Sequence, residues 1–307
     1  MEPVFLVGPT AVGKSAVALE LTRLLNAEIV SADSMQVYRG MDIGTAKPTP
    51  EERGKVPHHL IDVCEVSEPF DVKRFVDLAS NVILDLKSRG KTPLIVGGTG
   101  LYVRALRRGL FKGPPRDWKL RTKLESKSTA ELFEELQRVD PQTAAKVDRH
   151  NPRRLVRALE VFHTTGKSIS ELQTQWDDNR VQKGAAMIGL NRERSDLFAR
   201  IERRIDEQMA AGWVDEVKRL LARGLAQNAT AMQAAGYREL VAHLRGERSL
   251  ADAVTLVKAR TRQLARRQLT WFRREPGLVW FEVGRDEPAQ QTARRVLNAI
   301  QENDASA

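Results

Sequence analysis

The segment Gly8-Pro9-Thr10-Ala11-Val12-Gly13-Lys14-Ser15 has the spacing of glycines, lysine and hydroxyl that binds phosphate groups. The glycines let backbone amides turn toward phosphate oxygens, and a helix N-terminus behind them adds partial positive charge. Lys14 neutralises the phosphates and Ser15 can ligate magnesium. Such a loop alone suggests nucleotide binding, as in an ATP-binding ATPase, a GTPase or a small-molecule kinase. The rest of such an enzyme is mostly absent: no Asn-Lys-x-Asp guanine reader occurs. The nearest candidate for a second magnesium-holding carboxylate is Asp62, after the short run His59-Leu60-Ile61.

Two further polar segments carry reactive groups, Asp33-Ser34-Met35-Gln36 and Gly97-Gly98-Thr99-Gly100. A carboxylate at Asp33 facing a bound diphosphate is electrostatically awkward unless it has a proton to accept or a metal to hold. That points to catalysis; the alternative is that Asp33 only caps a helix or forms a turn.

These loops need strands to position them. The apolar runs Val4–Val7, Ile29-Val30 and Pro93–Val96 precede the three segments, and helices are expected from Ser15 to Leu25 and near Val72–Lys87. Strands alternating with helices imply an α/β fold, a P-loop NTPase-like parallel sheet flanked by helices. In such sheets ligands lie beyond the carboxyl ends of the strands, so the three loops should converge.

From about Arg116 to Lys183 the pattern is purely helical, with start signals at Ser128 with Glu131, Asp140 before Pro141, Asn151 before Pro152 and Ser168 with Glu171. The expected organisation is a first part of the core at 1–115, an inserted all-helical subdomain at 116–184, and completion of the core at 185–307. Met187–Leu190 reads as a strand returning to the sheet. Helices follow from Ser195 to a stop at Gly224 and from Ser249 to about Arg274, and residues 302–307 are expected to fray.

Within the last helix Lys258, Arg260, Arg262, Arg266, Arg267, Arg273 and Arg274 occur with no acidic residue between them. Val257, Leu264, Trp271 and Phe272 form a buried stripe. The missing i,i+4 acids favour an RNA backbone as partner over a merely solvated helix. Fifty Lys and Arg against forty Asp and Glu, a net charge of +10 in 307 residues, also make a polyanionic partner plausible. The single cysteine, Cys64, excludes an internal disulfide. No apolar stretch approaches the roughly 18 residues of a membrane span, and Met1 leads straight into a strand with no signal peptide, so a cytoplasmic protein is expected.

Taken together, Gly8–Ser15, the block from Asp33 to Pro48, Pro57-His-His-Leu-Ile-Asp62 and Gly97-Gly-Thr-Gly-Leu-Tyr102 closely resemble the tRNA dimethylallyltransferases. Arg154-Leu-Val-Arg-Ala-Leu-Glu160, Gly236-Tyr-Arg-Glu239 and Arg262–Arg273 extend the resemblance over nearly the whole chain. It implies transfer of a dimethylallyl group from its diphosphate to the exocyclic amine of the adenosine just 3′ of the anticodon. The P-loop would then hold a prenyl diphosphate and not ATP, with Lys14, Ser15 and Mg2+ on the leaving group.

By the same resemblance Asp33 is the general base, and Thr99 positions the diphosphate or the base. Arg204, in Ile201-Glu-Arg-Arg-Ile205, is a further diphosphate ligand, with a solvated helical arginine as the alternative. Family alignment also sets Asp33, Ser34, Met35, Gln36 and Thr99 on the flipped base and its neighbours. Arg121 and the Arg153-Arg154-Leu155-Val156-Arg157 segment fall on the anticodon stem-loop; position 153 is often an amide in the family. No Cys-His zinc finger follows the core, which is the bacterial pattern, and a monomer is expected. The runner-up is an adenylate isopentenyltransferase, which shares the P-loop and base but acts on a free nucleotide.

Overall fold

Uninterrupted apolar runs become the interior of a parallel sheet, because helices cover both of its faces. The computed structural model describes residues 2–110, 113–115, 117–172 and 185–305. Six strands, Val4–Val7 (β1), Ala27–Ser31 (β2), His58–His59 (β3), Thr92–Gly97 (β4), Ala186–Asn191 (β5) and Leu278–Glu282 (β6), form one sheet. The order is β3-β2-β4-β1-β5-β6 and every pair is parallel. Val7 is in register with Gly97 and with Gly189, and Ser31 with Val96. The carboxyl ends of β2, β4 and β1 therefore stand side by side, and the loops that follow them meet.

The helix Val72–Ser88 starts where Asp71 accepts the Arg74 amide at 3.0 Å, and it buries Phe75, Ala79, Ile83 and Leu86 at helical spacing. The expected single helix from Ser195 to Gly224 is instead two, Arg194–Ala210 and Trp213–Ala222. Gly212, at φ 91°, breaks them with a left-handed residue that only glycine adopts cheaply, and the break turns Trp213 into the core. Strand β6 and the closing helix Ala289–Ala305 were not anticipated: β6 is a half-exposed edge strand with no clear alternation. That helix continues through Glu302, so the frayed end expected there is a helix up to Ala305. Among the described residues no helix is long and apolar enough to cross a membrane.

Residues 1–107 with 182–307 make one compact unit and residues 108–181 another. The second has its own core of Leu124, Leu132, Leu136, Leu155, Val156 and Leu159. Ser128 with Glu131 forms a capping box, and Asp140 and Asn151 accept the amides of Thr143 and Arg154. The expected helical stretch over 173–184, and Arg116, lie outside the described residues.

At the centre of this unit the fully buried Glu160 accepts the Asp117 amide at 3.1 Å and pairs with Arg157 at 2.8 Å and Arg121 at 3.4 Å. Removing the carboxylate would leave the Asp117 amide without its acceptor and take the buried counter-charge from both guanidinium groups, Arg121 keeping only the exposed Glu125 and Arg157 the Pro114 carbonyl among the described residues. Glu160→Ala is expected to cost about 2–4 kcal/mol, reduced from a fully buried pair because the arginines reach water. Denaturant unfolding of the full chain checks this, and a loss under 1 kcal/mol would contradict the structural role.

Candidate active site

The P-loop connects β1 to the helix Lys14–Leu24. Gly8 passes so close to β5 that a Cβ would stand 2.5 Å from the Leu190 carbonyl oxygen, and Gly13 enters the helix at φ 110°. Arginines tie the loop from outside: Arg192 Nε donates to Val12 O at 2.9 Å, Arg200 Nε to Ala11 O at 3.0 Å, and Arg204 Nη1 to Thr10 Oγ1 at 3.4 Å. Lys14 Nζ donates to Pro9 O at 2.7 Å and Gly8 O at 3.0 Å. Beside it opens a cavity of about 610 Å³ lined by Gly13, Lys14, Ser15, Arg200, Arg203 and Arg204.

These cations gather around one cavity, with Lys14 and Arg204 the more buried of them. Burial, reinforced by Arg204, lowers the Lys14 ammonium to about 7 against an opposing pull from Asp33. Burial likewise lowers the Arg204 guanidinium, again opposed by Asp33. An anion entering the cavity would relieve both groups.

Asp33 stands between two cavities, lining this one and a second of about 250 Å³ that it shares with Met35, Thr99, Ile205, Trp213 and Leu264. Its Oδ1 accepts the amides of Met35 at 2.8 Å and Gln36 at 3.4 Å. The turn-forming role weighed as an alternative is therefore present, but it uses one oxygen; among the described residues Oδ2 has no hydrogen-bond partner. Thr99 Oγ1 accepts the Ser34 amide at 3.0 Å and donates to Ser34 Oγ at 3.3 Å, which fixes the turn. Gln36 turns inward, accepting from Ser31 Oγ at 2.9 Å.

Three anchoring groups escaped the sequence reading. Gln268, from the helix Leu250–Phe272, accepts the Thr10 amide at 2.9 Å and donates to Gly98 O at 3.0 Å, so one amide holds the P-loop to the Thr99 loop. Buried Glu216 accepts the amides of Asp42 and Ile43 at 2.9 and 2.6 Å and the Tyr237 hydroxyl at 2.6 Å. It pins the segment whose Gly44 and Thr45 wall the smaller cavity. Lys47 Nζ joins Asp42 and Asp62, each at 2.6 Å. Residue types alone carried no signal here, since an isolated Gln, Glu or Lys gains such a role only from loops distant in sequence.

Several expected contacts are corrected. Asp62 is engaged by Lys47 and by Arg53 at 2.8 Å and does not line the P-loop cavity, so it is not a metal ligand there. Leu155 and Val156 are core residues of the helical unit, so their side chains cannot reach RNA. Arg121 and Arg157 are held by Glu160, whereas Arg153 and Arg154 are exposed without an acidic partner among the described residues. From Lys258 onward the basic helix has no acid of its own, yet Lys258, Arg260 and Arg262 pair with Asp206, Glu239 and Glu202 of neighbouring helices. Its last exposed arginines, Arg267, Arg273 and Arg274, have no such partner among the described residues. Of the expected buried stripe, Val257 and Phe272 are fully buried, whereas Trp271, beneath Arg104, and Leu264, on the smaller cavity, are only half-buried.

The described residues contain no cluster of three acidic, histidine or cysteine side chains that could enclose a metal. What the cavity offers is the exposed Ser15 hydroxyl with Asp33 nearby. Few, hard oxygen donors fit a magnesium ion that takes most of its ligands from substrate phosphate and water.

The family model described as IPP transferase matches residues 36–275. The tRNA dimethylallyltransferase of Syntrophobacter fumaroxidans is 50% identical over 92% of this chain and 84% of its own length. A second such enzyme, tRNA dimethylallyltransferase 2 of Syntrophus aciditrophicus, is 46% identical over 96% of both. Among solved structures, the tRNA isopentenylpyrophosphate transferase of Bacillus halodurans superposes with a TM-score of 0.73 at 40% identity, covering 99% of this chain and 98% of its own. A eukaryotic dimethylallyltransferase captured acting on tRNA gives a TM-score of 0.80 at 28% identity, covering 99% of this chain and 80% of its own.

Proposed function

The chain belongs to the IPP transferase family of tRNA dimethylallyltransferases, and from that membership we propose the reaction of this site. The chain transfers a dimethylallyl group from dimethylallyl diphosphate to the exocyclic amine of the adenosine 3′ of the anticodon, acting as a cytoplasmic monomer. The observation that carries this reading is Asp33, which borders both the cationic P-loop cavity and the smaller, partly apolar one.

In this reaction the adenosine amine attacks the allylic carbon, the carbon–oxygen bond to diphosphate breaks, and the amine proton passes to Asp33 Oδ2. Lys14, Arg204 and the P-loop amides receive the charge that develops on the departing diphosphate. Magnesium held at Ser15 would add Lewis-acid stabilisation of the same charge. Thr99 keeps the Asp33 turn in place through Ser34, and Ser34 and Met35 border the base, whereas Gln36, expected beside them, lies on the P-loop cavity. The adenosine must leave the anticodon stack, at a cost of a few kcal/mol. Exposed Arg153 and Arg154 contribute RNA contacts that offset this cost.

Incubation with magnesium, labelled dimethylallyl diphosphate and either unmodified tRNA or AMP tests the proposal. Label in tRNA alone is expected. Label in AMP would replace the reading with an adenylate isopentenyltransferase, and ATP consumption without prenyl transfer would return the loop to the kinases.

Lys14 adds a pH signature. Below about pH 7 its ammonium is already charged; above it, donor binding must draw a proton onto the amine. Affinity for dimethylallyl diphosphate is therefore expected to fall as pH rises from 7, by up to about tenfold per unit. Calorimetry at about pH 8 in buffers of different ionisation enthalpy should read nearly one proton taken up. That uptake should vanish in Lys14→Met, and equal uptake in the variant would show that another group titrates.

A further inference from the structure

Two helices of the first unit, Arg194–Ala210 and Leu250–Phe272, are joined by a ladder of ion pairs. Asp206 meets Lys258 and Glu202 meets Arg262, so one number rises by four as the other falls by four: the helices run antiparallel. The next rung brings residue 198 to residue 266. There the acid is replaced by Phe198, and the Arg266 guanidinium lies over its ring at 5.2 Å from the centroid. Arg194 lies over the same ring at 5.3 Å.

We infer that Arg194 and Arg266, held over Phe198, form a binding site for RNA backbone phosphate. Both arginines are exposed, and neither has an acidic partner among the described residues. The nearby carboxylates are otherwise engaged: Glu193 caps the helix through the amides of Ser195 and Asp196, and Asp196 pairs with Arg192 at 2.9 Å. A ring face orders a guanidinium without neutralising it, whereas the acids on the other rungs cancel the charges they hold.

Arg194 also opens its helix, where the capping Glu193 carboxylate answers the backbone dipole, so the charge left for an external anion is that of the two ring-held guanidinium groups. Neither arginine lines the P-loop cavity or the smaller one, so the donor diphosphate is not the anion in question. The partner is then the phosphate backbone of the tRNA. The inference rests on the tRNA reading above and names a contact within it.

Binding of fluorescently labelled unmodified tRNA to the full chain, followed across a salt series, tests it. Arg194→Gln with Arg266→Gln is expected to flatten the slope of log affinity against log salt by about 1.4, and to weaken binding about 25-fold near 0.1 M salt. Arg262→Gln, which breaks a neutralised rung, should leave the slope unchanged. Phe198→Leu keeps both charges, so it should keep the slope and lose about threefold in affinity through freer arginines. A wild-type slope in the double variant overturns the inference, as does an equal change in Arg262→Gln. A wild-type chain that still binds and prenylates tRNA separates that failure from failure of the tRNA reading itself.

Discussion

Asp33→Asn is expected to lower turnover by about 10²–10⁴-fold, the range for a positioned general base, while tRNA affinity changes little. The substitution is chosen for its geometry. Asp33 Oδ1 holds the amides of Met35 and Gln36, and an asparagine oxygen can do the same, so the turn persists. Lost with the carboxylate is the basicity of Oδ2. Asp33→Ala removes both functions and should also disturb the Ser34–Thr99 contact. If single-turnover rates of Asp33→Asn match wild type, the amine loses its proton to another group.

Lys14→Met comes second, with a transfer rate expected to fall by roughly 10²–10³-fold, as when one donor to a developing oxyanion is removed. Two opposing effects meet at this residue. The substitution relieves burial of an ammonium beside Arg204, so the folded chain should gain stability, most clearly at pH below 7. The sign follows from a folded-state pKa below the ordinary lysine value: the unfolded chain binds more protons above pH 7, and wild-type stability therefore climbs with pH from there. A variant that is both slower and more stable is the expected signature. One that is slower and less stable would make Lys14 a structural strut through Gly8 and Pro9.

The parts of this molecule legible in its sequence are those written in neighbouring residues. The P-loop, the strand before it and the helix after it occupy one continuous stretch, and Ser128, Asp140 and Asn151 announce helices that begin at the next residue. The convergence of Lys14, Asp33 and Thr99 followed from the rule that loops of a parallel sheet meet at its carboxyl edge. Illegible were pairings across long separations. Thr10 reaches Gln268 over 258 positions, and Glu216 reaches Ile43 over 173. For the same reason the basic helix looked unpaired: the reading sought its acids four residues away, and they stand on other helices.

The sheet order also bears on how the chain leaves the ribosome. β1 is complete by Val7, yet one of its two neighbours, β5, begins only at Ala186. Until then the central strand has one open edge, and an open apolar edge invites pairing with other chains. The residues made meanwhile include the helical unit, whose contacts are local and whose core is its own. Local contacts form fast, so this unit is expected to fold during synthesis while the first unit still waits for its fifth and sixth strands. Slowing translation just before residue 186 should therefore raise aggregation of the nascent chain, and slowing it after Glu282 should not.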